Sequence, residues 1–226
     1  MTAPLALPTI SRRAPTQASF SLVANTQTFE SPLNKSVQTY ELPGARWAAS
    51  WSYQNLTDAD ARILKAWLAK LRGQAGRFSC YDWTHTRPTG RAYRSGSVNG
   101  AGQAGRIINA EWAVLSLTID SHLLTVDMTD LTCDAVHEAY ADWLLPGDYI
   151  GINGELKLVT DTIALPTSGL VAISFEPPLR TTPADGAAIT IIRPTCIMRL
   201  VDDKQDNMTF REQKRTDITI SAVEVF

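Results

Sequence analysis

The sequence predicts a mainly β chain with a single α-helix, made of a first part that the C-terminal strands complete and a second part inserted within it. Three observations predict this. Trp47, Ala49, Trp51 and Tyr53 alternate with smaller or polar residues, as on a strand with one buried face. Ile63, Leu64, Trp67, Leu68 and Leu71 recur at helical spacing. A polar, Gly-rich break over 84–105 is then followed by short apolar runs separated by turn signals.

Taken in order, residues 1–17 carry three prolines and the pair Arg12-Arg13, which reads as an extended arm ordered only if something receives it. Short β-prone runs follow (Phe20, Leu22 and Val23, then Val37, Thr39, Tyr40 and Leu42), broken by Ser31-Pro32 and Pro43-Gly44. After the aromatic strand, Thr57 stands as an N-cap before Asp58 and Asp60, whose carboxylates suit the positive end of a helix. Gly73 is placed to end that helix in a left-handed cap. Phe78 and Cys80 then open a second aromatic strand that continues through Tyr81 and Trp83. Beyond the Gly-rich break, 113–126 reads as a strand, and 134–143 is compatible with a short helix without the stripe and caps of the first. Leu145-Pro-Gly-Asp148 turns into Tyr149–Ile152, and Asn153-Gly154 is a two-residue hairpin signal into 156–159. Runs over 170–175 and 188–192 complete a set of short strands that suggests a small barrel or sandwich. Cys196, Met198 and Leu200 alternate, and Ile218, Ile220 and Ala222 carry the chain to its end, so 195–226 is expected to rejoin the N-terminal sheet. The predicted division is 1–90, 91–194 and 195–226.

At 226 residues the chain can bury a substantial core in one large or two modest domains. Charged residues are 19% of it and the formal net charge is −2, which gives no electrostatic invitation to nucleic acid or an anionic membrane. The mixed cluster 211–215 (REQKR) reads as a solvated strand end. Cys80, Cys133 and Cys196 are odd in number and far apart. Together with His85, His122 and His137 they show no metal-ligand spacing, so zinc and a disulfide framework are disfavoured. The N-terminal run lacks a leading basic region and is a poor signal peptide. No apolar run approaches a membrane span, and the expectation is a soluble protein.

Candidate chemistry is sparse. Gly100-Ala-Gly102-Gln-Ala-Gly105 matches the dinucleotide fingerprint GxGxxG, with Asp120 or Asp127 at ribose distance. It lacks the preceding buried strand and following helix that the mechanism needs, and reads instead as a tight loop. His85 is the histidine best placed for exposure, and a hydrolase would have to work through it. Asp58 and Asp60 are explained by helix-start chemistry. Asp202, Asp203 and Asp206 lack the Gly and terminal Glu of a calcium loop. Trp112 and Trp143 could stack on sugar rings, and a carbohydrate-binding module recognising host cell-surface glycan is the alternative function. No catalytic, cofactor-binding or metal residue is assigned, and the reading is not an enzyme.

The order of elements carries a resemblance. A strand with paired tryptophans leads into a capped helix ending Leu71-Arg-Gly73, then the strand Arg77-Phe-Ser-Cys-Tyr-Asp82. A β-rich insertion follows with Gly147-Asp148, Gly154 and Pro177-Pro-Leu-Arg180, and then a closing strand pair. This resembles the distal tail proteins of long-tailed, siphovirus-like bacteriophages, chiefly over 67–76 and 145–180. The resemblance implies a belt-type β-sandwich with one helix and an extended hairpin, carrying an inserted OB-like or galectin-like domain. It implies a structural virion protein that forms a ring, usually a homohexamer, at the distal end of the tail. Its partners would be the tail tube protein above, the baseplate hub or tail-tip protein below, and receptor-binding fibres. It would be assembled in the bacterial host cytoplasm and reside in the virion.

Overall fold

The computed structural model describes residues 3–11, 14–90, 106–107, 123–127, 144–165, 170–183, 189–204, 208–211 and 215–226. The loop glycines at 100–105, Asp120, Trp112, Trp143, His122, His137, Cys133, Asp206, the helix expected at 134–143 and most of the 211–215 cluster lie outside the described residues, apart from Arg211 and Arg215. In chain order the strands are β1 (Gln17–Val23), β2 (Thr26–Glu30), β3 (Val37–Glu41), β4 (Arg46–Leu56), β5 (Phe78–Cys80), β6 (Arg106–Ile107), β7 (Leu123–Asp127), β8 (Tyr149–Ile152), β9 (Glu155–Leu165), β10 (Leu170–Glu176), β11 (Cys196–Leu200), β12 (Thr209–Arg211) and β13 (Arg215–Glu224). Among the described residues there is one α-helix, α1 (Asp58–Leu71), between β4 and β5. The chain forms two compact units, Met1–Cys80 with Ile197–Phe226, and Tyr81–Cys196.

The first unit is built on a six-stranded sheet ordered β1-β4-β13-β11-β5, with β12 pairing β13. Register makes one of its faces apolar, because Ala49, Trp51 and Tyr53 of β4 stand opposite Ala222, Ile220 and Ile218 of β13. These residues, with Met198, Leu200, Phe78 and Cys80, are buried. The neighbouring register line puts Ser50 and Ser52 opposite Ser221 and Thr219, so the other face is small and polar. Helix α1 covers the apolar face with Leu64, Trp67, Leu68 and Leu71. The Trp67 ring meets Phe78 edge-on at 5.1 Å, and Trp51 meets the same ring at 6.1 Å. Thr57 caps the helix by accepting from the Asp60 N–H. The left-handed residue that ends it is Arg72 (φ 54°), one position earlier than the sequence places it, and Gly73 follows at φ 67°.

The second unit contains an open five-stranded sheet ordered β6-β7-β10-β9-β8. Strands β8 and β9 are joined by Asn153-Gly154, both at positive φ (51° and 79°), which is the type I′ geometry this dipeptide favours. Ile150, Ile152, Leu156, Val159, Ile173 and Phe175 are buried in this unit. Residues 81–90 belong to it through Asp148, whose carboxylate accepts from the N–H groups of Thr89 (2.8 Å) and Leu145 (2.8 Å) and from the Thr89 hydroxyl (2.9 Å).

Two architectural expectations are corrected. The inserted unit is not a small barrel or sandwich of OB-like or galectin-like form, because among the described residues the sheet does not close. Its end strands β6 and β8 are not paired with one another. The outer edge of β8 is instead taken by a single bridge, Gly151 to Thr190, with N–H···O distances of 2.8 and 2.9 Å. Pro194 packs so close to Gly151 that a Cβ there would stand 3.2 Å from it. Evenly spaced strands gave the barrel expectation, and spacing does not report whether end strands meet. The belt unit is likewise not a sandwich among the described residues: the layer over its apolar face includes α1, and the two remaining strands form a separate ribbon with every residue exposed.

Candidate functional site

That ribbon is the feature of the first unit for which the fold offers no internal use. Strands β2 and β3 pair antiparallel in the register Thr26↔Glu41 to Glu30↔Val37. Its base is closed by Leu42 N–H to Asn25 O (2.7 Å) and Asn25 Nδ2 to Pro43 O (2.8 Å). Its tip is closed by Ser31 N–H to Ser36 O (2.9 Å), and the Asn34 side chain accepts from both the N–H and the hydroxyl of Ser36. Directly opposed residues share a face. One face therefore carries Gln27, Phe29, Gln38 and Tyr40, and the other carries Thr26, Thr28, Glu30, Val37, Thr39 and Glu41. Phe29 is 57% exposed, Tyr40 65%, Val37 59%, and Leu33 at the tip 95%. An isolated two-stranded hairpin with no buried face is marginal in water. The ribbon is held in register at both ends and presents four large apolar side chains to solvent.

The N-terminal arm has a receiver within its own chain. Leu5 bridges Phe78 in parallel, donating its N–H to Arg77 O (2.8 Å) and accepting from Ser79 N–H (3.0 Å). The Trp67 indole N–H donates to Ala6 O at 2.9 Å. Ile10 is buried, and the N–H and hydroxyl of Ser11 both donate to Asp60 Oδ1 (2.9 and 3.0 Å). The Ser11 N–H is the main reason the Asp60 carboxyl lies below its usual range. Burial opposes this, and the hydroxyls of Thr57 and Ser11 reinforce it. Asp60 is therefore more than a helix-start carboxylate: it clips the arm.

His85 sits in the second unit with its Nδ1 3.0 Å from Asp82 Oδ2 and 2.7 Å from the Thr84 hydroxyl. Asp82 is buried and accepts from the Thr84 N–H and hydroxyl (2.8 and 2.6 Å). Burial pushes the Tyr149 hydroxyl up to about 12, with the Asp82 charge and its hydrogen bond adding to the effect. An Asp–His pair can orient a base, and among the described residues Nε2 makes no hydrogen bond. The pair closes a turn. Asp202 and Asp203 do not converge on a cation site: Asp203 accepts from Gln74 N–H (2.8 Å) and Asp202 from Lys204 N–H (3.2 Å). No group of three or more metal-ligating side chains occurs among the described residues. Two clefts of the first unit, one beside Ser19, Ser50 and Ser52 and one beside Lys65, Arg72 and Asp203, measure about 240 and 170 Å³. Both fall below the roughly 300 Å³ at which small-molecule sites begin.

Comparison with protein-family models and with curated sequences gives no match.

One buried network escaped the sequence. Lys157 is fully enclosed and donates to Glu155 Oε2 and to Pro178 O, both at 2.7 Å. Glu155 also accepts from Arg180 N–H (3.1 Å), Thr181 N–H (3.0 Å) and the Thr181 hydroxyl (2.7 Å). The available signal was Glu155-Leu-Lys157, since residues two apart on a strand share a face.

Proposed function

We propose that this chain is a structural subunit that associates with copies of itself into a ring at the distal end of a long bacteriophage tail, joining the tail tube to the baseplate or tail-tip hub. The exposed apolar ribbon β2–β3 carries the proposal. A hairpin held in register at both ends and showing Phe29, Tyr40, Val37 and Leu33 to solvent suits a head-to-tail interface, where one surface of each subunit meets a different surface of the next and the rotation closes. The helix-backed sheet supplies a rigid body from which such a ribbon can reach. In this reading the chain works by binding, without catalysis or cofactor, and contacts the tube protein, the hub protein and receptor-binding fibres.

The test is light scattering on the purified chain with negative-stain images of the same fractions. Rings of about six subunits with a central opening are expected. Phe29→Ser with Tyr40→Ser should leave a monomer whose melting temperature is unchanged, because neither ring contributes to the subunit core. A wild-type chain that stays monomeric at high concentration, alone and when mixed with tail tubes, sinks the proposal.

A further inference from the structure

We propose that Tyr81, Trp83, His85 and Arg193 of the second unit form a binding site for an anionic saccharide, a sugar ring carrying a carboxylate or a phosphate. The inference goes beyond self-association and stands whether or not a ring forms.

A short segment and one unusual backbone position assemble the site. Tyr81 and Trp83 flank the buried Asp82, and their half-buried rings lie 5.6 Å apart at 46°. Arg193 adopts the left-handed region (φ 46°), which a residue with a long side chain seldom does. Its N–H donates to Thr86 O at 2.9 Å, which fastens that backbone to the residues around His85. From there its guanidinium stands 5.7 Å from the centre of the Tyr81 ring. A rare conformation kept by a specific hydrogen bond points to what it positions, here a cation beside two aromatic rings.

Two polar groups of the cluster have binding capacity to spare. Arg193 is exposed, and among the described residues its guanidinium has no carboxylate partner. With one flat face on Tyr81, its edge still offers a planar fork of donors that matches a carboxylate or a phosphate. His85 is exposed and its Nε2 makes no hydrogen bond, yet the ring is fixed. Nδ1 lies 3.0 Å from Asp82 and 2.7 Å from the Thr84 hydroxyl, and the ring packs 5.6 Å from that of Tyr149. Asp82 is held in turn by the Thr84 N–H and hydroxyl and by the Tyr149 hydroxyl, which burial and the Asp82 charge keep protonated. Nε2 is thus a pre-oriented hydrogen-bonding atom, and binding through it costs little ordering.

These groups select the ligand class. Half-buried tyrosine and tryptophan rings offer flat apolar area to the C–H face of a pyranose. The guanidinium calls for an anion, and the imidazole for a sugar hydroxyl or the same anion. An extended peptide would need a free strand edge, and the edge of β8, which carries Tyr149, is already taken by Thr190. A nucleic acid would need a cationic field, and the net charge is −2.

The experiment titrates the full chain calorimetrically with tetragalacturonate, with a galactose phosphate and with neutral galactotetraose, at one ionic strength. At least one charged probe should bind about tenfold tighter than the neutral one. Arg193→Gln, with native near-ultraviolet dichroism, should remove that preference, and Arg193→Lys should restore part of it because the charge returns without the fork. His85→Ala should weaken the charged probe roughly threefold. Tetragalacturonate alone binding identifies a carboxylate ligand, and the phosphate alone a phosphate ligand; either upholds the site. Equal affinity for the neutral probe overturns the anionic assignment. No binding by any probe, or a preference unchanged in folded Arg193→Gln, overturns the site.

Discussion

Lys157 illustrates what single residues contribute to the second unit. Its ammonium is fully enclosed and has two short oxygen partners, Glu155 and the Pro178 carbonyl. A buried pair of this kind adds little net stability over an apolar pair of equal size, yet losing one member strands the other charge. Lys157→Met should therefore lower the unfolding free energy by about 3–5 kcal/mol in denaturant titration, and adding Glu155→Gln should recover part of that loss. An effect under about 1 kcal/mol would mean that water reaches Glu155. Burial raises the Glu155 carboxyl, but hydrogen bonds from Lys157 and Thr181, the Lys157 charge and the Arg180 N–H outweigh it, and the net shift is downward. A depressed carboxylate stabilises the fold fully above its unfolded value near 4.5 and loses that contribution as pH falls through the lower folded value. Stability carried by this residue should thus disappear in acid, and Glu155→Gln should flatten that part of the pH profile. None of this stood out in the sequence, where Glu155 and Lys157 look like ordinary solvated charges on a hairpin. Their partners come from 178–181, more than twenty positions away in the chain.

Among the elements, α1 was the most legible. Its N-cap, its first-turn acids and most of its apolar stripe follow from local chemistry, which a single sequence contains in full. The departures are at its margins. The buried stripe runs Asp60, Ala61, Leu64, Trp67, Leu68 and Leu71, with Ile63 44% exposed. The stripe is turned toward Asp60 because the N-terminal arm docks there, and local periodicity cannot see that contact. At the other end, Gly73 at φ 67° brings its α-carbon so near Asp203 that a Cβ would stand 2.3 Å from Oδ1. The same carboxylate accepts the Gln74 N–H, so the helix end and the segment after β11 are fastened together. Gly73→Ala should cost about 1–2 kcal/mol from the positive φ and the displaced carboxylate. Adding Asp203→Ala should relieve the clash but not the backbone strain, leaving a residual loss in thermal denaturation. Full recovery in the double variant would show that the left-handed conformation contributes nothing.

For the whole molecule, sequence reasoning found strands readily and their closure poorly. The alternation in β4, β11 and β13 and the Asn153-Gly154 turn are written in neighbouring residues. Whether β6 meets β8, or whether a second sheet covers the first, depends on residues far apart in the chain, and there the barrel and sandwich expectations failed. The ribbon was visible as two β-prone runs, but its exposure, which carries the proposed function, was not. That proposal assigns self-association to the first unit, since the ribbon belongs to it. The chain leaves this unit after Cys80 in β5 and re-enters it at Ile197 in β11, and these strands are neighbours in the sheet. A linker of about six Gly and Ser residues spans roughly 20 Å. This exceeds the distance between the ends of two adjacent short strands in either orientation. A chain with residues 81–196 replaced by that linker should fold with native near-ultraviolet dichroism from its buried tryptophans, and should form oligomers of the same number as the full chain. A folded but monomeric product, set beside an oligomeric full chain, would move the interface to the second unit and remove the ribbon as its basis.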